Sequence, residues 1–388
     1  MAQGSDVLII GAGIIGSAIA YFAAKQGLGV TVLDSAGPAS GTSSRCEGNI
    51  LLSDKELGPE LELSQYSLGV WKNDLAEFAQ LWEFEAKGGL VVASKESSQA
   101  SLDRLTTAQR SKGVTAEILD RSQLVDAEPH ISPEALSAAY YPQDSQVQPM
   151  LAASWLLRLA CDAGARFVPN ARVTALYQEQ GRITGVRSTA GFFAAGSVVN
   201  ATGTWASNIA GMAEVAVPVN PRKGFVMVTE PLPPKIFHKV YAAEYVDNVG
   251  SSDAGLQSSP VVEGTPAGSI LIGSSRERVG FDGSVNLQAL KAMANNASNL
   301  FPFLRDVKIL RHYHGFRPYC PDHLPVIGHD ERAPGLWHAA GHEGAGIGLS
   351  VGTGKLLAQA LAGKDTDMDL SPFAPHRFSN QPLVSKES

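Results

Sequence analysis

The chain has 388 residues, 44% hydrophobic and 18% charged, with 39 glycines; at two to three typical domain lengths it can bury a large core, and this composition points to a two-domain α/β enzyme rather than a fibrous or disordered chain. A net charge of -7, with no block of lysine and arginine, excludes an electrostatic footprint for nucleic acid or an anionic membrane, and no apolar run approaches the roughly 20 residues of a bilayer span. Cys46, Cys161 and Cys320 are too few and too scattered for a disulfide framework or a four-thiolate cluster, so no metal site is expected and any iron–sulfur centre belongs to a partner.

MAQGSDVLII enters an apolar strand with no basic n-region or cleavage site before it, which implies a cytoplasmic location. DVLIIGAGIIGSAIAYFAAKQGLGVTVLD, Asp6 to Asp34, then reads as strand, glycine turn, helix, turn and second strand. Gly11 permits the tight turn, Gly13 lets a pyrophosphate approach the backbone, and Gly16 lets helix and strand pack closely. The helix start at Ile14 and Ile15 offers unpaired N–H groups to phosphate. Asp34, followed by Ser35, stands where an acid accepts the ribose hydroxyls, which disfavours the 2′-phosphate of NADP. The fingerprint leaves NAD and FAD both open.

GPASGTSSRCEGNILL, Gly37 to Leu52, is small and hydroxyl-rich where a further βα unit of a nicotinamide enzyme would stand. Helical periodicity follows around Leu63 to Ala79, a β-like GGLVVAS at Gly88 to Ser94, and a helix over Met150 to Ala163. VVNATGTWA, Val198 to Ala206, is another strand and turn; from Val215 to Gly273 the pattern is strand-rich, with loops at GSSDAGLQSSP and EGTPAG. GFRPYCPDHLPVIG precedes a buried strand GLWHAA, a second glycine junction AAGHEGAGIG and a small-residue helix, IGLSVGTGKLLAQALAG. The segment from Leu370 is rich in proline, serine and charge and is expected to be an unpacked tail.

The combination of GAGIIG, SSRCEGN, NATG and the pairing of GFRP with GHEGAGI resembles the D-amino-acid oxidase family of FAD-dependent oxidoreductases, from Asp6 to about Gly363. The resemblance implies a Rossmann-like FAD-binding domain of glutathione-reductase type (residues 1–85, 142–214 and 312–369) and an α+β substrate domain on an antiparallel sheet (86–141 and 215–311), with 370–388 as the tail. Thr42, Ser43 and Ser44 are then hydrogen-bond partners of FAD, with Gly48, Asn49 and Ile50 nearest the flavin. Val173 would contact the adenine, and Ala201, Thr202, Gly203 and Trp205 return the chain to the cofactor.

Arg317, beside Gly315, matches the family's substrate-carboxylate arginine, and a planar guanidinium suits that task through two parallel charge-assisted bonds. Oxidation of an amine then depends on positioning, with hydride leaving to flavin N5. Gly341, Gly344, Gly346 and Ile347 would bring a helix end to the flavin ring. His342 and Glu343 are candidates for the site wall, as are Tyr241 and Tyr245. In the family, covalent attachment uses a cysteine ahead of a PD segment; Cys320 stands only two residues before Asp322, so noncovalent FAD is implied. SSRCEGN with GHEGAGIGLS further resembles the catalytic, beta-type subunits of heteromeric dye-linked dehydrogenases for D-hydroxyproline, proline or opines and of hydrogen cyanide synthase, which implies partner subunits carrying further redox centres. A self-sufficient amino-acid, sarcosine or glycine oxidase and an electron-transfer or assembly subunit without turnover remain open alternatives.

Overall fold

The structure, a computed structural model, describes residues 4–243 and 253–381. Its first sheet places strands in the order Val326–His329, Leu336–Ala340, Gly191–Asn200, Ser5–Ile10, Val30–Leu33 and Arg166–Val168. The four pairings from Leu336–Ala340 to Arg166–Val168 are parallel. Ser5–Ile10 is central and covered on both faces, which is why VLII is an unbroken apolar run rather than an alternation. Strands Val173–Glu179 and Arg182–Ser188 extend Gly191–Asn200 as an antiparallel meander.

Helix Ile14–Lys25 packs between Pro149–Asp162 and Gly346–Leu361. The small residues of the last helix set that approach: a Cβ at Gly354 would stand 2.7 Å from Ala18, and one at Gly352 2.7 Å from Ser67. The expected helix over Leu63 to Ala79 is α-helical only over Pro59–Gly69, then winds through a π turn, Val70–Asp74, into a 3-10 segment, Ala76–Trp82. Two buried tryptophans explain the break. Trp71 and Trp82 would stand about 16 Å apart along a continuous helix, yet their rings meet edge to face at 5.6 Å.

The second sheet runs Ile309–Tyr319, Asn220–Thr229, Ile270–Arg276, Gln257–Gly264, Lys239–Ala242, Gly89–Ala93, Ser137–Tyr141 and Glu117–Leu119. Its pairings are antiparallel except Lys239–Ala242 with Gly89–Ala93, two strands joined by a long excursion through the first sheet. Ile309–Tyr319 crosses the boundary expected at residue 312 and belongs to this sheet. It pairs with Asn220–Thr229 in a register that sets Arg222 opposite Arg317 and Gly224 opposite Gly315. Helix Leu287–Leu300, capped by the Asn286 side chain, closes the apolar core on one face. No helix of the described residues is long and apolar enough to cross a membrane.

The start of the expected tail is packed. Ser371–Phe373 and Pro375–Phe378 are single 3-10 turns opened by proline, and they bury Phe373 and Phe378. Arg377 pins them through a 2.7 Å ion pair with Asp322. Two aromatic side chains supply enough burial to order a segment whose polar composition alone suggests none.

Candidate functional site

Both glycine junctions open onto one cavity of about 730 Å³. At the first, Gly11 has φ +112°, and a Cβ there would press on the Ala201 carbonyl; at Gly16 it would collide with the Gly11 carbonyl, so Gly16 packs helix on strand and is not on the cavity wall. Asp34 fixes the turn: one carboxylate oxygen accepts from the Ala12 N–H at 2.7 Å and the other from the Ala36 N–H at 2.8 Å. Ser43 Oγ accepts from the Ile14 N–H at 3.0 Å and caps the helix start. Gly13, Ile14, Ile15, Asp34, Ser35, Thr42 and Ser43 line this part of the cavity, with Val173 beyond Asp34. Ala201, Thr202, Gly203 and Trp205 line it from the strand-end turn. That turn is held by Asn200, which accepts from the Thr202 hydroxyl at 2.7 Å and meets the buried His338 ring at 3.2 Å.

The middle of the cavity is built by the segment after Ser43. The Thr42 and Thr204 hydroxyls both donate to the Phe316 carbonyl at 2.7 Å, tying that segment to the second sheet. Gly48, at φ +91°, lies so close to the Val147 carbonyl that any side chain would collide. Gly48, Asn49 and Gly315 line the cavity; Ile50 is buried behind it, and Ser44 turns its hydroxyl to the Gly41 carbonyl.

At the far end the second junction supplies His342, Glu343, Gly344, Gly346 and Ile347 to the wall, while Gly341, at φ +78°, makes the turn behind it. Helix Gly346–Leu361 starts there and aims its positive end at the cavity. A Cβ at Gly344 would find nothing closer than 4.0 Å, leaving its backbone open to a ligand. His342 is buried and bonded to the Thr353 hydroxyl at 3.1 Å, and burial pulls its ring down to about 3, so it is neutral at working pH. Glu343 is also largely buried, which pushes its carboxyl up, but the His323 hydrogen bond and the Arg222 charge outweigh burial and hold it below the ordinary range. The distances are 2.7 Å to Arg222 Nη1 and 3.1 Å to His323 Nδ1. Glu343 is therefore an anchored anion rather than a base.

Arg317 reaches the wall at this end and donates from Nη1 to the Ser275 carbonyl at 2.9 Å. Its guanidinium lies against Gly224, where a Cβ would collide with it. Next to it the sequence reading missed a buried group: Glu47 on the wall, and Lys239, which donates to Asn49 Oδ1 and, at 2.5 Å, to Glu263. Arg222 was missed as well. The available signal was charge inside otherwise apolar segments, PRKGFVMV and RCEGNILL, since a buried ion requires a partner.

Tyr241 is corrected. It is fully buried, absent from the cavity wall, and donates its hydroxyl to Ser53, which donates in turn to Asp144. Its side chain packs into the apolar core rather than onto the cavity wall. Tyr245 lies outside the described residues. Cys320 is wholly buried off the cavity, with burial pushing its thiol up; Cys46 is on the wall, and burial pushes it up to about 12. No metal-ligand cluster occurs among the described residues.

A long cavity with a glycine turn, a helix start and the Asp34 carboxylate at one end and glycine-exposed backbone at the other fits a dinucleotide with an aromatic ring system. Residues 6–360 match the model of the DAO family, described as FAD dependent oxidoreductase. Hydrogen cyanide synthase subunit HcnC of Pseudomonas aeruginosa is 27% identical over 98% of this chain and 97% of its own. Glycine oxidase of Geobacillus kaustophilus is 29% identical over 95% of this chain and 96% of its own, and its crystal structure superposes with a TM-score of 0.87, covering all of both chains at 26% identity. L-proline dehydrogenase from P. horikoshii has a TM-score of 0.90 over 99% of this chain and all of that one, at 24% identity, and so shares the fold.

Proposed function

Because this chain belongs to the DAO family of FAD-dependent oxidoreductases, we propose that it oxidises the C–N bond of an amino acid or secondary-amine carboxylate of the D-amino-acid, hydroxyproline/proline or opine type. The observation that carries this reading is Arg317, a guanidinium held over Gly224 on the wall of the FAD cavity. FAD, when bound, accepts the two electrons of the C–H bond as hydride. Asp34, Gly13, Ile14 and Ile15 would hold its adenosine and pyrophosphate portion, and Gly48, Asn49, Gly344 and Gly346 its ring. The burial of Cys320 away from the cavity supports noncovalent attachment. The two sheets support the division of the chain into a cofactor-binding unit and a substrate unit, with Ile309–Tyr319 assigned to the latter.

The chain's own residues supply position. Arg317 grips the substrate carboxylate and orients the α-carbon. Neutral His342 and the helix start at Gly346 present dipoles without an added charge, and the Arg222–Glu343–His323 chain fixes the turn that carries them. The reaction calls for no catalytic triad.

We further propose that the chain acts as the catalytic subunit of a heteromeric cytoplasmic complex whose partners carry the next redox centres; similarity to a hydrogen cyanide synthase subunit over nearly the whole of both chains supports this. A self-sufficient oxidase releasing hydrogen peroxide is the second reading, favoured by the similarity to glycine oxidase. One experiment tests both. Candidate D- and L-amino acids, hydroxyprolines, sarcosine and opines are mixed with the purified protein without oxygen, and flavin bleaching is followed. Bleaching by a carboxylate-bearing amine is expected, and its absence throughout the panel overturns the reading. Peroxide release against dye reduction then separates oxidase from dehydrogenase.

A further inference from the structure

Three acidic side chains line the main cavity among the described residues, and two of them are committed. Asp34 gives both oxygens to the backbone of the glycine turn and of its own loop. Glu343 is held between Arg222 and His323. Glu47 is different: it is 7% exposed, and its Oε1 has no hydrogen-bond partner among the described residues. Space for its carboxyl comes from Gly273 on the neighbouring strand, where a Cβ would collide with it. A buried carboxyl oxygen without a partner, on the wall of a substrate cavity, is a costly arrangement unless a ligand completes it.

What completes it follows from the neighbourhood. Arg317 is near enough for its charge to act on Glu47, and the amine of an α-amino carboxylate is attached one carbon from the carboxylate that Arg317 binds. We propose that Glu47 is a catalytic residue of this site, receiving the proton of the substrate's ammonium group. The proposal rests on the amine-oxidation reading above. In the step, an N–H bond breaks and an O–H bond forms on Glu47, while the electron pair stays on nitrogen. That pair becomes the second bond of C=N as the α-carbon hydride leaves to FAD, the family's oxidant, and Glu47 returns its proton to solvent after the imine departs.

The charged and titratable groups facing Glu47 come from several strands: Lys239, Glu263 and Arg317, with Tyr313 and Cys46 alongside. Burial raises Glu47 above the ordinary carboxylate range, while Lys239, Arg317 and the Asn49 hydrogen bond draw it back and Glu263 pushes it up again. Raised basicity in a carboxylate is the direction that favours taking a proton from a bound ammonium group.

The test is Glu47→Gln, which keeps size and hydrogen-bonding capacity but cannot take up a proton, followed by anaerobic bleaching of the FAD-loaded protein as a function of pH. Near neutral pH the bleaching rate is expected to fall about 100-fold or more, and to recover as rising pH frees the amine in solution, meeting the wild-type rate in alkali. Glu47→Asp, which keeps the acid, should recover part of the neutral-pH rate. A readout independent of turnover is the infrared difference spectrum of wild type minus Glu47→Gln, which should show one protonated buried carboxyl that titrates with pH, beside the band of buried Asp144 that both proteins share. Bleaching with an unchanged pH profile in Glu47→Gln, or a wild-type-minus-variant spectrum with no protonated carboxyl band, overturns the proton role and leaves the amine-oxidation reading standing. If no amine bleaches the wild-type protein, the reading falls and the proposal with it.

Discussion

Arg317 lies across Gly224 of the adjacent strand, so closely that a methyl group at residue 224 would collide with its guanidinium and with the Ser275 carbonyl that orients it. The arginine's position is thus set by a missing side chain as much as by its hydrogen bond. Gly224→Ala should displace Arg317 while leaving the cofactor turn intact: KM for the amine substrate is expected to rise about tenfold or more, with flavin content unchanged. Steady-state kinetics beside the flavin-to-protein absorbance ratio checks this.

Arg317→Ala removes the proposed carboxylate grip itself. A charge-assisted pair contributes about 1.5–3 kcal/mol, so binding of a carboxylate-bearing amine should weaken about 10- to 100-fold. Arg317→Lys should recover only part of it, since an ammonium cannot donate two parallel bonds. Titration of flavin absorbance with a non-reacting carboxylate measures the loss, and unchanged affinity would remove Arg317 from the site.

Asp34→Ala deprives the Ala12 and Ala36 N–H groups of their acceptor and removes the proposed partner of the ribose. FAD affinity should fall about 10- to 100-fold, by the same charge-assisted scale, which ultrafiltration of reconstituted protein reads directly. Thermal stability of the FAD-free protein should fall less than that of the loaded protein, because mass action from the ligand is lost as well.

Arg222 is 1% exposed and Glu343 13%. Arg222→Met leaves Glu343 paired with His323 and should cost about 3 kcal/mol of stability, the scale for breaking a buried pair. Glu343→Gln in the same chain should recover part of the loss by removing the stranded charge. Denaturant midpoints of the single and double variants measure the coupling.

His342 gives a pH dependence of definite sign. Its folded-state pKa is about 3, depressed by burial, so between there and the ordinary histidine value the unfolded chain binds a proton that the folded chain refuses. Stability from this residue is complete above the unfolded value and is lost as pH falls, by about 1.4 kcal/mol per pH unit once well below it. His342→Asn should flatten the acid limb of the stability profile by that slope, measured as the difference between the two proteins' unfolding midpoints from pH 7 to pH 4.

What the sequence made legible is what short segments encode. GAGIIG, Asp34, the NATG turn and GHEGAGIG are each local patterns, and Gly13, Asp34, Gly203, Arg317 and Gly344 all meet on one cavity. The pairing of Arg222 with Glu343 spans 121 positions and that of Lys239 with Asn49 spans 190. Such contacts depend on strand register, which periodicity does not specify. Tyr241 shows the same point: Lys239, two residues earlier on the same face of the strand, reaches Asn49 on the cavity wall, while Tyr241 ends on Ser53 in the core, a difference set by position along the strand. The helix broken at Val70 and the packed turn at Phe373 are both products of buried aromatics finding partners, which composition alone conceals.

The order of the first sheet has a consequence for how the protein is made. Ser5–Ile10 is flanked on one side by Gly191–Asn200, far later in the chain, which itself awaits Leu336–Ala340. Helix Ile14–Lys25 likewise waits for Gly346–Leu361 to cover it. The glycine turn therefore acquires its final walls only after Gly346–Leu361 has been made, and VLII lacks part of its cover over the synthesis of the more than three hundred residues between the two glycine junctions.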